Sequence, residues 1–188
     1  YKTTCVLLVG DFELLLDNDK QPTILTMKTR VAIAMGGYSS EIEISINSGN
    51  VVYKHLDHTK YDVYRVHVLK ESWLALDAEG NTYPIDLKDF SFKKEGEHIH
   101  FDVVFNTIHG TPGEDGKFQA YLELLDIPQT ACDFYGAALT FNKRDTISVL
   151  KPYDITTAKN VFINQGDEID IDTIIETVGL PCFVKANK

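Results

Sequence analysis

His109-Gly-Thr-Pro-Gly-Glu-Asp-Gly116 lies between the apolar run Phe101-Asp-Val-Val-Phe-Asn-Thr-Ile108 and a stretch in which Phe118, Tyr121, Leu122 and Leu125 recur at helical spacing. A run of β-branched and aromatic residues predicts a buried strand, and the recurrence every three or four residues predicts an amphipathic helix. The segment therefore reads as strand, tight loop, helix. Glycines at 110, 113 and 116 and Pro112 let the loop bend sharply and come close to a ligand. The helix start would turn N–H groups toward the same crevice. Open α/β sheets bind their ligands outside the carboxyl ends of the strands, and His109 would stand at that mouth.

A second junction of the same kind lies upstream, where Lys28-Thr-Arg-Val-Ala-Ile-Ala-Met-Gly-Gly37 reads as a strand ending in paired glycines. From there strands and helices alternate. The patterning predicts strand 30–35, helix 42–56, strand 62–69, a short helix near 71–76, and a hairpin over 80–84 and 97–101. Strand 102–108, helix 114–126, strand 128–131, helices near 134–140 and 143–150, strand 159–163, helix 170–178 and strand 181–185 follow. Strands separated by helices imply a mostly parallel sheet with helices on both faces. One stretch pulls the other way, because Glu41-Ile-Glu-Ile-Ser-Ile46 alternates with the period of a strand.

The pattern divides the chain into residues 1–26, an extension of unknown role, a self-contained α/β domain over 27–151, and the start of a second domain over 152–188. Met27 looks like a natural start, with an edge strand and loop over 1–26 as the alternative. The second domain looks unfinished, since strand, helix and strand are followed by nothing that completes a sheet.

Bulk composition narrows the classes. The 188 residues are 44% hydrophobic, as in a globular protein, and carry a formal net charge of −10. A phosphate-backbone binder needs a clustered Lys/Arg face, so nucleic acid is not an expected partner. No apolar run approaches the roughly 20 residues of a membrane span, so no membrane role is expected. Cys5, Cys132 and Cys182 are scattered and form no C-x-x-C pair, which fits a reduced cytoplasm better than a disulfide framework or a zinc site.

Several residues are candidates for chemistry. In Gly36-Gly-Tyr-Ser-Ser-Glu-Ile-Glu43, Ser39 or Ser40 can cap the following helix and Glu41 or Glu43 can complete a capping box; a carboxylate there can equally capture a substrate ammonium. His109 is either a hydrogen-bonded structural histidine or a group facing a ligand. Glu114 and Asp115 read as partners of a helix dipole. His55/His58 and His98/His100 can each share a face, but neither pair has a third ligand nearby in sequence, and both read as solvated. Lys143 opens a helix and Lys185 ends the apolar run Pro181-Cys-Phe-Val184, where a phosphate can be held. Neither a P-loop, a G-x-G-x-x-G fingerprint nor a G-x-S-x-G elbow occurs.

Five blocks taken in order carry a resemblance: Val31-Ala-Ile-Ala-Met-Gly-Gly-Tyr-Ser-Ser-Glu-Ile-Glu-Ile-Ser45, His109-Gly-Thr-Pro-Gly-Glu-Asp-Gly-Lys-Phe-Gln119, Leu124-Leu-Asp-Ile-Pro-Gln-Thr130, Asn142-Lys143 and Leu180-Pro-Cys-Phe-Val-Lys185. Over residues 27–188 the chain resembles the N-terminal portion of D-alanine-D-alanine ligases, members of the ATP-grasp superfamily. The resemblance implies a pre-ATP-grasp, Rossmann-like domain followed by the start of an ATP-grasp domain, and it accounts for the missing P-loop. It also implies ATP and Mg²⁺ as cofactors and D-alanine as substrate, with a carboxylate activated as an acyl phosphate and the dipeptide used in peptidoglycan. By the resemblance Glu41 holds the first D-alanine through its ammonium, His109 stands beside that substrate, and Lys143 and Lys185 contact the ATP phosphates. Asn142 and Ala186 depart from the family's common Asp and Pro. The Mg²⁺ ligands are expected beyond Lys188, so this chain alone is expected to be inactive. A homodimer stays open, as do a D-alanine-D-lactate ligase and a non-catalytic α/β ligand-binding fragment.

Overall fold

The computed structural model describes residues 28–187, together with the backbone of three upstream strands, β1 (Cys5–Val9), β2 (Phe12–Leu16) and β3 (Thr23–Thr26). Those three pair antiparallel in the order β1-β2-β3, a sheet separate from the main one. Met27, the expected start, lies outside the described residues.

The main sheet is built around β4 (Thr29–Gly36), whose residues from Val31 onward are all buried. A right-handed crossover is the expected route from one parallel strand to the next; here helix α1 (Ile42–His55) leads to β5 (Tyr61–Val68), which lies parallel to β4. On the other side of β4, also parallel, lies β10 (Val103–Asn106). Beyond β5 come β6 (Trp73–Leu76) and β7 (Thr82–Pro84), both antiparallel, giving the order β10-β4-β5-β6-β7. Between β7 and β10 the chain forms a small hairpin, β8 (Phe92–Lys94) and β9 (Glu97–Ile99). After β10 come α2 (Lys117–Leu124), α3 (Phe134–Phe141), α4 (Lys143–Leu150), a 3₁₀ turn at Lys151–Tyr153 and α5 (Ile171–Val178).

Each face of the sheet is covered, as alternation along β4 requires. Val31, Ile33 and Met35 point toward α1 and pack with Val52, Tyr53 and Leu56. Ala32 and Ala34 point to the opposite face, where Phe118 and Leu122 of α2 join Phe90, Phe92 and Phe101. Trp73 sits edge-on to Phe90, Phe118 and Tyr121, so β6 closes the second core layer.

Four local expectations are corrected. Residues 73–76 form a strand and not a helix, because four residues cannot bury a helical stripe but can pair with Val68 to Arg65 of β5. Thr82–Pro84 pairs with β6, and the strand at 97–99 pairs with β8, so the expected hairpin is two hairpins. The 128–131 strand is reduced to one parallel bridge between Val104 and Gln129. No strand forms at 159–163 or 181–185: Val161, Phe162 and Ile163 are 40%, 40% and 50% exposed, and Val184 is 94% exposed. Among the described residues nothing pairs with either segment, and an unpaired ladder leaves N–H and C=O groups without partners.

Candidate functional site

The carboxyl ends of β4 and β10 are neighbours in a parallel pair, and the loops leaving them meet. Tyr38 N donates to Thr111 O at 2.8 Å and Gly37 N to Val68 O at 2.8 Å, so the first loop is tied to both flanking strands' exits. Such proximity demands a residue without a side chain. Gly37 has φ of +100°, and a Cβ there would meet Ile108 Cγ2 at 2.8 Å and Thr111 O at 3.1 Å.

Serine hydroxyls lock the two loops together. Ser45, fully buried on α1, donates to Thr107 O at 2.8 Å and accepts from Gly36 N at 2.8 Å, joining helix, β4 and β10 at one atom. Ser39 donates to His109 O at 2.9 Å while accepting from Glu41 N at 3.2 Å. That one hydroxyl brings Glu41 and His109 to the same mouth. Glu41 is the N-cap residue of α1, yet its side chain makes no capping hydrogen bond, and it is exposed. Its carboxylate therefore takes no part in capping the helix. Glu43, in the first turn, is the acidic residue that faces the helix dipole. The His109 ring lies over α1, its Nε2 3.3 Å from Ser48 Oγ.

The 109–116 loop is braced from within. Gly110 N donates to Glu114 Oε2 at 2.7 Å and Glu114 N donates back to Gly110 O at 2.8 Å. Asn106 Nδ2 and Gln119 Nε2 both donate to Gly113 O, at 2.9 and 2.5 Å. These uses correct two expectations. Helix α2 begins at Lys117, so Glu114 serves the loop and not the dipole, whereas Asp115 Oδ1 accepts from Lys117 N at 3.4 Å, at the helix start as expected. Phe118 N is likewise taken by Pro112 O at 2.9 Å, so α2 does not turn that N–H to a ligand. Asp115 is half-buried, which raises its carboxyl pKa, but hydrogen bonds from Lys117 and Thr111 outweigh this and hold it below the usual carboxylate range.

Beside the mouth opens a cleft of about 670 Å³, walled on one side by Ser39, Gly110, Thr111, Asp115 and Lys117 and on the other by Ala138, Phe141, Asn142 and Asp145. Its volume suits a small molecule. Asn142 caps α4 by accepting from Asp145 N at 3.2 Å, and the next residue is Lys143. The Lys143 ammonium rests 4.8 Å from the Phe141 ring centroid and donates to Phe141 O at 3.0 Å. Lys185 lies in an exposed segment, with its ammonium over Phe183. The chain beyond it returns to α4, where Arg144 N donates to Asn187 Oδ1 at 3.0 Å and the Arg144 guanidinium donates to Asn164 Oδ1 at 2.9 Å. Glu41 and His109 thus stand on the two loops that meet at one mouth, Lys143 opens α4, and none of Glu41, His109, Lys143 and Lys185 is among the residues that line the cleft. The serines at 45 and 48 were missed in the sequence, where only a small or polar residue at helical spacing from Gly49 hinted at a close approach to the sheet. For the paired histidines, His55 Nδ1 lies 2.8 Å from Val51 O and His58 Nε2 2.8 Å from Tyr53 O, both on exposed surface as expected.

Glycine loops at the ends of two adjacent parallel strands, with polar side chains converging between them, mark an α/β domain with its crevice where open α/β sheets receive ligands. The chain belongs to the family described as the D-ala D-ala ligase N-terminus, whose model matches residues 30–132. It is 61% identical over 162 residues to the D-alanine--D-alanine ligase of Christiangramia forsetii, covering 86% of this chain and 50% of that protein. The corresponding ligase of Flavobacterium johnsoniae is 60% identical over 158 residues, covering 84% of this chain and 49% of that protein. The crystal structure of D-alanyl-alanine synthetase A from Vibrio cholerae matches with a TM-score of 0.64 at 33% identity, over 73% of this chain and 41% of that one. The chain spans about half the length of the curated relatives it matches. No helix among the described residues is long and apolar enough to cross a membrane.

Proposed function

We propose that this chain supplies the first-substrate half of an ATP-dependent D-alanine-D-alanine ligase, and that the mouth between β4 and β10 receives D-alanine. The observation that carries this reading is the Ser39 hydroxyl, which accepts from Glu41 N and donates to His109 O. A carboxylate left uncapped beside a histidine suits a small amino acid. Glu41 pairs with the ammonium by charge-assisted hydrogen bonds, and His109, steadied by Ser48, faces the rest of the substrate.

In the reaction the γ-phosphoryl group of ATP passes to the first D-alanine's carboxylate, and ADP leaves. The second D-alanine's ammonium gives up one proton to become the attacking amine; its nitrogen bonds to the acyl carbon, the carbon–oxygen bond to phosphate breaks, and inorganic phosphate leaves as the nitrogen loses a second proton to give the amide. Lys143 and Lys185 are our choice for the phosphate contacts, supported by the return of the chain near Lys185 to the start of α4, where Lys143 stands. Cations there offset the charge that builds during transfer. Mg²⁺ is a hard cation that takes carboxylate and water oxygens. The two acids that line the cleft are already engaged, Asp115 by Lys117 and Asp145 by Asn142, so we assign no residue of this chain to it. Residues 152–188 are taken as the opening of the ATP-binding domain. The dipeptide product serves peptidoglycan synthesis in the cytoplasm.

The test is steady-state kinetics of a ligase that contains this chain. Glu41→Gln should raise the KM for the first D-alanine and lower kcat/KM by at least tenfold, whereas Glu43→Gln should leave both within about twofold. Equal losses would remove the role given to Glu41.

A further inference from the structure

Away from the mouth, the β8–β9 hairpin gathers three side chains that are spread along the sequence. Asp89, His98 and His100 each offer a ligand atom, and these atoms all lie within 4.8 Å of one another. His98 and His100 are two residues apart at the end of a strand, so they leave the same face, with ring centroids 4.5 Å apart. Asp89 comes from the turn before β8. Its neighbour Phe90 has φ of 52° although its ring is fully buried, a conformation that a bulky residue rarely takes. The buried Ser91 hydroxyl then holds the arrangement, donating to Asp89 Oδ1 at 2.5 Å and lying 2.8 Å from His98 Nε2.

This constellation has the composition of a borderline-metal site. Imidazole nitrogens suit Zn²⁺, Ni²⁺ or Cu²⁺, whereas Mg²⁺ and Ca²⁺ take oxygen ligands. Asp89 Oδ2 lies 4.0 Å from His98 Nε2, the nitrogen that donates to Ser91 Oγ and would give up that proton on binding a metal. Tetrahedral coordination with bonds of about 2.0–2.2 Å puts ligand atoms roughly 3.3–3.6 Å apart, so small side-chain rotations close the set. His98 and His100 are exposed, so water can complete the coordination sphere.

We propose that Asp89, His98 and His100 form a Zn²⁺ site that ties the turn before β8 to the β8–β9 hairpin. None of the three lines the cleft beside the mouth, so the site is independent of the substrate reading given above. Bound metal would stabilise the folded chain by mass action.

The experiment is titration of the metal-free protein with ZnCl₂, read by calorimetry, by thermal melting and by the NMR resonances of the histidine rings. One Zn²⁺ per chain should bind, raise the melting temperature where equal Mg²⁺ does not, and shift the ring signals of His98 and His100 but not of His55 and His58. His98→Ala and His100→Ala should each weaken binding by more than the about 10–100-fold typical of losing an outer-shell partner. Asp89→Asn should weaken it about tenfold, and a Cys132→Ser/Cys182→Ser variant should bind as the parent does. Circular dichroism of each variant without metal checks folding; if a histidine variant is unfolded, the ring resonances of the parent decide alone. The absence of saturable Zn²⁺ binding, or binding retained in a folded His98→Ala/His100→Ala double variant, would overturn the proposal.

Discussion

Strand β4 and the run Asn160-Val-Phe-Ile163 contain the same kinds of residue, yet β4 has six consecutive buried residues while Val161, Phe162 and Ile163 are each at least 40% exposed. The difference is partnership. β4 has β5 on one side and β10 on the other, with α1 and α2 against its two faces. The 160–163 run meets α4 chiefly through the Arg144 guanidinium, 5.2 Å from the Phe162 ring. Strand propensity is thus mostly a fit to neighbouring surfaces, not a property of the backbone. The same holds across the whole stretch 155–187, in which no residue is buried, against the body built on β4.

Paired substitutions should break or sharpen that contrast. Phe118→Ala, which empties the fully buried layer under α2, should cost about 3–5 kcal/mol of unfolding free energy. Phe183→Ala, at a side chain 92% exposed, should stay within about 0.5 kcal/mol. Urea unfolding measures both, and similar costs would show that 155–187 is packed as tightly as the body.

Glycines make the next pair. Gly116 has φ of +87°, and a Cβ there would sit 2.5 Å from Phe134 O, so Gly116→Ala should cost about 3 kcal/mol through clash and backbone strain together. Gly166, at φ of +92°, has nothing within 4 Å, and Gly166→Ala should cost only about 1 kcal/mol of backbone strain. Between those two falls Ser45→Ala, which strands the Gly36 N–H and Thr107 carbonyl that its hydroxyl joins, at about 1–3 kcal/mol. Faster amide exchange at Gly36 than at β4's centre would accompany it; unchanged exchange there would mean that the two loops are held by other contacts.

The last contrast is in acid. Asp77 is buried in the body, and burial alone would raise its carboxyl pKa. Hydrogen bonds from Asn81, Lys94 and Tyr83 overcome this and hold it far below the usual carboxylate range. A carboxyl depressed on folding contributes stability that is present above its unfolded pKa of 3.8 and is lost as pH falls below that value toward the folded one. Melting temperatures between pH 7 and pH 2.5 should therefore fall less steeply for Asp77→Asn than for the parent. Parallel curves would remove Asp77 from the acid response.

What was legible in the sequence was local. β4, β10 and the two glycine loops announce themselves by apolar runs that end in Gly36-Gly37 and His109-Gly110, and the parallel mouth follows from two such junctions in one sheet. The start of α1 was less plain, because Glu41-Ile-Glu-Ile-Ser-Ile46 alternates like a strand. Helix wins since Ile46, Val52, Tyr53 and Leu56 together cover Val31, Ile33 and Met35, a stripe that becomes visible only over several turns. Trp73–Leu76 is illegible for the complementary reason: its pairing with β5 is non-local, and four residues carry too little periodicity to reveal it. The third member of the histidine cluster was invisible too, because Asp89 is brought to His98 by the fold of a turn and not by spacing.

The claim at the centre is that D-alanine enters the mouth between β4 and β10, and amide NMR of this chain titrated with D-alanine tests it most directly. Saturable shifts should appear at Gly37–Glu41 and His109–Glu114, weaker ones with L-alanine, and Glu41→Gln should abolish the response. Shifts confined to other parts of the molecule, or an equal response to both enantiomers, would contradict it.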